Sequence, residues 1–158
     1  MNAFPAITIG ILVVVTHVFF FCGLMIVIAR LSGWIALAQR YRLNGRFDGT
    51  CWYFQHAQFR WSMNYSGALT IGVNGDGLYL SIWPMFRPGH PRLFIPWSET
   101  TIRMSRTFWL GNYMEIQFPN VPRTLIRFHE RLAKRIAATV GPQLAHAQTT
   151  DTSHAATL

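Results

Sequence analysis

Leu69-Thr-Ile-Gly-Val-Asn-Gly-Asp-Gly-Leu-Tyr-Leu-Ser-Ile82 decides how most of this chain folds. Leu69, Ile71 and Val73 alternate with Thr70, Gly72 and Asn74, and Leu78, Leu80 and Ile82 alternate with Tyr79, Ser81 and Trp83. A period of two turns one side of each run into a core and the other toward water, the pattern of antiparallel strands. Asn74-Gly75-Asp76-Gly77 separates the two runs and is a strong hairpin signal, because these residue types tolerate tight-turn backbone angles.

The pattern extends in both directions. Upstream, Ala57, Phe59, Trp61 and Met63 alternate with Gln58, Arg60 and Ser62 and read as one strand. Downstream, Arg87-Pro88-Gly89-His90-Pro91 is a loop, and Pro96 makes Leu93–Trp97 a sheet edge or a strand end. Further strands are expected at Thr101–Ser105, Phe108–Leu110, Tyr113–Phe118 and Thr124–Phe128, with turns at Gly111-Asn112 and at Pro119–Pro122. Trp52, Phe54, Phe59, Trp61, Trp97, Phe118 and Phe128 supply bulk for the core.

The period then changes to that of a helix. Leu132, Ile136 and Val140 recur every four residues with Ala133 and Ala137 beside them, and Arg131, Lys134 and Arg135 take the other faces. Gly141-Pro142 ends this helix, and the uncharged, aperiodic character of most of residues 143–158 predicts a disordered tail. The expected unit therefore runs over residues 50–142, with about seven short strands and one closing helix.

Within it, Gly77-Leu78-Tyr79-Leu80 followed by Ile95-Pro96-Trp97-Ser98-Glu99 and Ile102 resembles the central part of pleckstrin-homology-like domains, the bacterial and GRAM-type versions included. The resemblance implies seven antiparallel strands in two packed, near-orthogonal sheets with the C-terminal helix at an open corner. It implies no single activity, since the fold serves lipid binding, protein binding and scaffolding. Phosphoinositide-binding members place several basic residues in the first hairpin; here the segment from Phe59 to Val73 holds Arg60 alone.

N-terminal to the strands, residues 1–29 carry no Lys, Arg, Asp or Glu, and Ile7–Ala29 is an almost unbroken apolar run. As a helix it measures about 34 Å, enough for a hydrocarbon core of about 30 Å. A secretory signal would have a basic start, a shorter apolar stretch and a small-residue cleavage site, so residues 1–31 are expected to be a single membrane anchor. Arg30, Arg40, Arg42 and Arg46 follow the run and none precedes it, which puts the N-terminus outside and the domain in the cytoplasm of a bacterial inner membrane. His17 lies inside the span and is read as bonded to backbone or to a neighbouring helix. Cys22 and Cys51 are too far apart in character to suggest a disulfide or a metal site.

Residues 32–49 read as a short amphipathic helix and linker, or as a continuation of the spanning helix. Trp34, Leu37, Ala38 and Tyr41 form its apolar stripe, with Ser32 as N-cap and Asn44-Gly45 as stop. Arg30, Trp34, Arg40, Tyr41 and Arg42 are the expected anchors at the membrane interface.

Net charge is +8. Nucleic acid is not the expected partner, because four arginines flank the span and no basic-aromatic recognition motif is present. No metal, phosphate-loop or nucleophile motif occurs, no cofactor is expected, and six scattered acids give poor material for acid–base chemistry. The expected function is a non-enzymatic binding or adaptor module, or an accessory subunit of a membrane complex; sensing of anionic lipid headgroups is the alternative, with an enzyme the least favoured. Arg87, His90 and Arg92 in the loop and Arg131, Lys134 and Arg135 on the helix are the candidate contacts with a protein or lipid partner.

Overall fold

The computed structural model describes residues 4–60, 63–107 and 111–141. The expected strand Phe108–Leu110 and the tail 143–158 lie outside these residues. Helix α1 (Phe4–Leu31) is followed after two residues by α2 (Trp34–Tyr41). Strands β1 (Thr50–Phe59), β2 (Met63–Val73), β3 (Gly77–Ile82), β4 (Leu93–Pro96), β5 (Thr101–Thr107), β6 (Gly111–Gln117) and β7 (Leu125–His129) come next, and α3 occupies 130–141. From Ile7 to Leu31, α1 is long and apolar enough to cross a membrane, a property that a signal sequence shares.

The strands form one antiparallel sheet in the order β4-β3-β2-β1-β7-β6-β5, not the expected two. The reason lies in β1. It pairs with β2 from Thr50↔Val73 to Phe59↔Met63, and its Ala57 and Gln58 also face Phe128 and Arg127 of β7. One strand bonded on both sides joins the two halves. Register shifts between Trp52 and Ala57 bend it, since a bulge increases local twist, and the sheet curls about one core.

The alternating run Ala57–Met63 is not a single strand: β1 ends at Phe59 and β2 begins at Met63. The expected core residue Trp61 lies outside the described residues. Phe59 and Met63 are directly opposed across β1 and β2, and opposed residues of an antiparallel pair point to the same face. Alternation therefore survives the reversal of the chain. The turn at 74–77 forms as expected: Asn74 Oδ1 accepts from the N–H groups of Asp76 (3.1 Å) and Gly77 (2.9 Å).

Side chains inside the curl include Leu69, Ile71, Leu78, Leu80, Ile95, Ile116, Ile126 and Phe128, joined by Leu132, Ala133, Ile136 and Val140 of α3. The core continues past the expected boundary at residue 50: Trp34, Leu37 and Tyr41 of α2 and Ala29 of α1 belong to it. Gly33 makes the bend between the helices possible. It sits at φ 85, and a methyl group there would come 2.9 Å from Thr124 Oγ1, so only glycine satisfies both demands.

The linker then crosses the sheet. Leu43 N–H donates to the Arg92 carbonyl along the free side of β4 (2.9 Å), and Phe47 stacks flat on Tyr79 at 4.6 Å. All six residues of β3 are buried, Leu78, Leu80 and Ile82 in the core and Tyr79 beneath Phe47.

Candidate functional site

Two regions meet where α1 enters the domain, and a third shares the β3–β4 loop with them. The first is a buried polar chain. Tyr65 Oη lies 2.8 Å from His90 Nε2 and 2.9 Å from Ser32 Oγ, and His90 Nδ1 lies 3.0 Å from the Pro88 carbonyl. A carbonyl only accepts, so Nδ1 carries the imidazole proton and Nε2 accepts from Tyr65. Burial lowers the His90 pKa and pushes the Tyr65 phenol up to about 12, because low-polarity surroundings disfavour both charged forms. Trp34 walls this chain, with ring centres 5.2 Å from His90, 5.9 Å from Tyr65 and 5.4 Å from Phe59, and its Nε1–H donates to the Pro91 carbonyl at 2.9 Å.

The second is the loop between β3 and β4. Its tip, Pro84–Phe86, is a single 3-10 turn that lies back along α1. Phe86 meets Phe21 at 6.1 Å, and Gly89, at φ +77, presses on Ile26 and Ala29. Phe21 precedes Leu31 by ten residues, about 15 Å of helix. Trp83 and Met85 on this loop are 46% and 65% exposed, and Phe54 meets Trp83 at 5.7 Å while remaining 59% exposed. Phe54 was expected in the core. The bulge in β1 places it at φ 54, a left-handed conformation that costs a side-chain-bearing residue about 1–2 kcal/mol, and turns it outward beside Trp83.

The third is a cavity of about 420 Å³ on the outer face of β1–β3. Arg46 from the linker and Arg87 and Arg92 from the loop line it, with Tyr53, Thr70, Tyr79, Ser81, Trp83 and Pro84 among its walls.

The expected contact residues thus divide. Arg87 and Arg92 are exposed and share the cavity; His90 faces inward and is buried, because its ring completes the Tyr65 chain. Arg131, Lys134 and Arg135 are exposed on α3, with Lys134 paired to Glu130 at 2.7 Å. Among the expected interface anchors, Arg30, Arg40 and Arg42 are exposed, whereas Trp34 and Tyr41 are core residues. An apolar stripe is satisfied by a protein core as well as by lipid, and here the underside of the sheet supplies the core. Tyr41 Oη donates to Glu99 Oε2 (2.8 Å), which also accepts from Arg40 Nε (3.0 Å) and Asn120 Nδ2 (2.8 Å), and these donors hold the Glu99 carboxyl below its ordinary range. His17 Nδ1 lies 2.7 Å from the Val13 carbonyl of its own helix.

Sequence reasoning passed over Tyr65 and the convergence of Arg46 with the loop, and it put Phe54 in the core instead of on the surface. Trp83 carried a signal, as an aromatic on the outward phase of β3. No protein-family model matches the chain, nor does any curated protein or solved structure at a significant level.

Proposed function

We propose that this chain is a membrane-anchored, non-enzymatic binding module. In this reading α1 spans a bacterial inner membrane with its N-terminus outside, and a PH-like domain sits directly on the cytoplasmic leaflet. One observation carries it: the last turns of α1 are part of the domain. Ala29 and Ser32 are buried in it, Gly89 packs on Ile26 and Ala29, and Ser32 Oγ is bonded to Tyr65. Cleavage of α1 as a signal would strip these contacts from a finished core.

The exposed surfaces agree with a bilayer at this level. Leu24, Val27 and Leu31 remain exposed on α1 while Phe86 lies beside Phe21. Trp83, Pro84 and Met85 on the same loop are exposed as well and suit apolar surroundings beside α1. Seven antiparallel strands and a closing helix support the PH-like assignment, and the carboxylate of Glu99 serves to tie α2 to the β4–β5 connection. The binding-module reading fits an adaptor better than an accessory subunit, because β5 leaves one side of the sheet open among the described residues.

Carbonate extraction of native membranes, followed by intact-mass measurement, tests the reading. The full-length chain is expected in the pellet. A soluble product shortened by about thirty residues would overturn it. Cysteine accessibility on either side of α1 tests orientation, with a residue placed before Ile7 expected to react from outside.

A further inference from the structure

We propose that the cavity bounded by Arg46, Arg87 and Arg92 is a binding site for the phosphate of an anionic phospholipid headgroup. This rests on the anchored reading above for the source of the ligand, while the phosphate chemistry stands on the cavity alone.

Three observations converge on it. The lining is rich in donor-bearing residues and holds no Asp or Glu: Arg46, Arg87 and Arg92 accompany Tyr53, Thr70, Tyr79 and Ser81. Guanidinium forks match the geometry of phosphate oxygens, and hydroxyl donors complete such a shell. The arginines are also unclaimed. The ion pairs among the described residues engage Arg40, Arg127 and Lys134, none of the three around the cavity. Asp48, two positions from Arg46, forms no pair with it.

Ser81 supplies the second observation. Its hydroxyl is buried at the cavity wall, and its hydrogen bond runs at 3.4 Å to the carbonyl of the very next residue. A bond of that length is near the limit of the interaction, so a better acceptor in the cavity would win the proton.

Position is the third. Trp83 and Pro84 form one wall of the cavity and also belong to the apolar loop beside α1. A phosphate in the cavity therefore sits next to side chains suited to acyl chains, the order in which a phospholipid presents its own parts. Basic residues near an anionic leaflet each gain on the order of 1 kcal/mol from the surface potential alone; convergence of three in one cavity adds a defined stoichiometry to that general attraction.

The experiment uses the full-length chain in a neutral detergent, where the bilayer contributes nothing, so a negative result counts against the cavity and leaves the anchor reading intact. Titration with dihexanoyl phosphatidic acid, dihexanoyl phosphatidylcholine and inorganic phosphate is followed by Trp fluorescence and by the alkylation rate of Cys51, which also lines the cavity, in a Cys22→Ala background. Saturable binding of phosphatidic acid with one site per chain, slowed alkylation of Cys51 and little response to phosphatidylcholine are expected. Arg46→Gln, Arg87→Gln and Arg92→Gln should each weaken it by about tenfold or more, as loss of a charged hydrogen bond implies, while Arg131→Gln/Arg135→Gln leaves it unchanged. Equal losses in the α3 double variant would overturn the site in favour of diffuse charge attraction. Inorganic phosphate binding as tightly as phosphatidic acid would overturn the lipid source and assign a free phosphate.

Discussion

Gly89 lies directly against Ile26: a methyl group at position 89 would come within 3.0 Å of the Ile26 Cα and 3.1 Å of the Ala29 Cβ. A loop from one edge of the sheet and a helix from the start of the chain are thereby in close contact, with no room between them for one further carbon.

Gly89→Ala should consequently both strain the loop and push it from α1. The positive φ alone costs about 1–2 kcal/mol for alanine, and the crowding adds to it. A clearly lowered unfolding midpoint in detergent is expected. An unchanged midpoint would mean the loop rides free of the helix.

Trp34→Ala should destabilise the protein by about 3–5 kcal/mol, the usual cost of emptying a fully buried aromatic site, and Trp34→Phe by less. If Trp34 were an anchor at the lipid surface, the same change would leave the unfolding midpoint in place and alter membrane depth instead. Denaturant titration of the full-length chain in detergent distinguishes the two.

The contribution of the Tyr65–His90 pair to stability should be constant between about pH 6.5 and 10 and fall on both sides. His90 is held neutral by burial with its pKa lowered, so below its unfolded value of about 6.5 the unfolded chain takes up a proton that the folded chain refuses, and stability declines. Tyr65 has the opposite sign: its pKa is raised to about 12, so stability falls as pH rises from about 10 and the unfolded chain alone releases its proton. His90→Gln should flatten the acid limb and Tyr65→Phe the alkaline one, read from unfolding midpoints across pH.

Phe54→Gly should stabilise the detergent-solubilised chain by about 1 kcal/mol, since glycine adopts φ 54 without strain. A destabilised Phe54→Gly would show that Phe54 contributes to the fold and would remove the reason for its outward position.

The sequence was legible where local pattern and tertiary environment agree. Leu69–Ile82 carries both its strands and its turn, and Leu132, Ile136 and Val140 identify the buried side of α3. It was ambiguous where two environments ask for the same pattern. Trp34, Leu37 and Tyr41 form the stripe that spacing predicts, but spacing does not say whether lipid or a sheet lies against it. Phe59 and Met63 kept their alternation through a reversal, hiding a hairpin inside an apparent strand. The cavity was least legible of all. Arg46 looked like a charge that sets membrane orientation, and only the path of residues 42–49 across β3 brings it to Arg87 and Arg92.

The short Ser32-Gly33 bend between α1 and α2 has a consequence for reach. A domain on a flexible tether samples a hemisphere whose radius grows with tether length. This one has almost no slack between α1 and the sheet, and its β3–β4 loop is pressed to α1 as well. On the anchored reading proposed above, it behaves as a cap on an axle: it can spin with α1 and drift in the plane of the bilayer, but it cannot lean out toward the bulk. Whatever it meets has to arrive at the surface, and always encounters the same side.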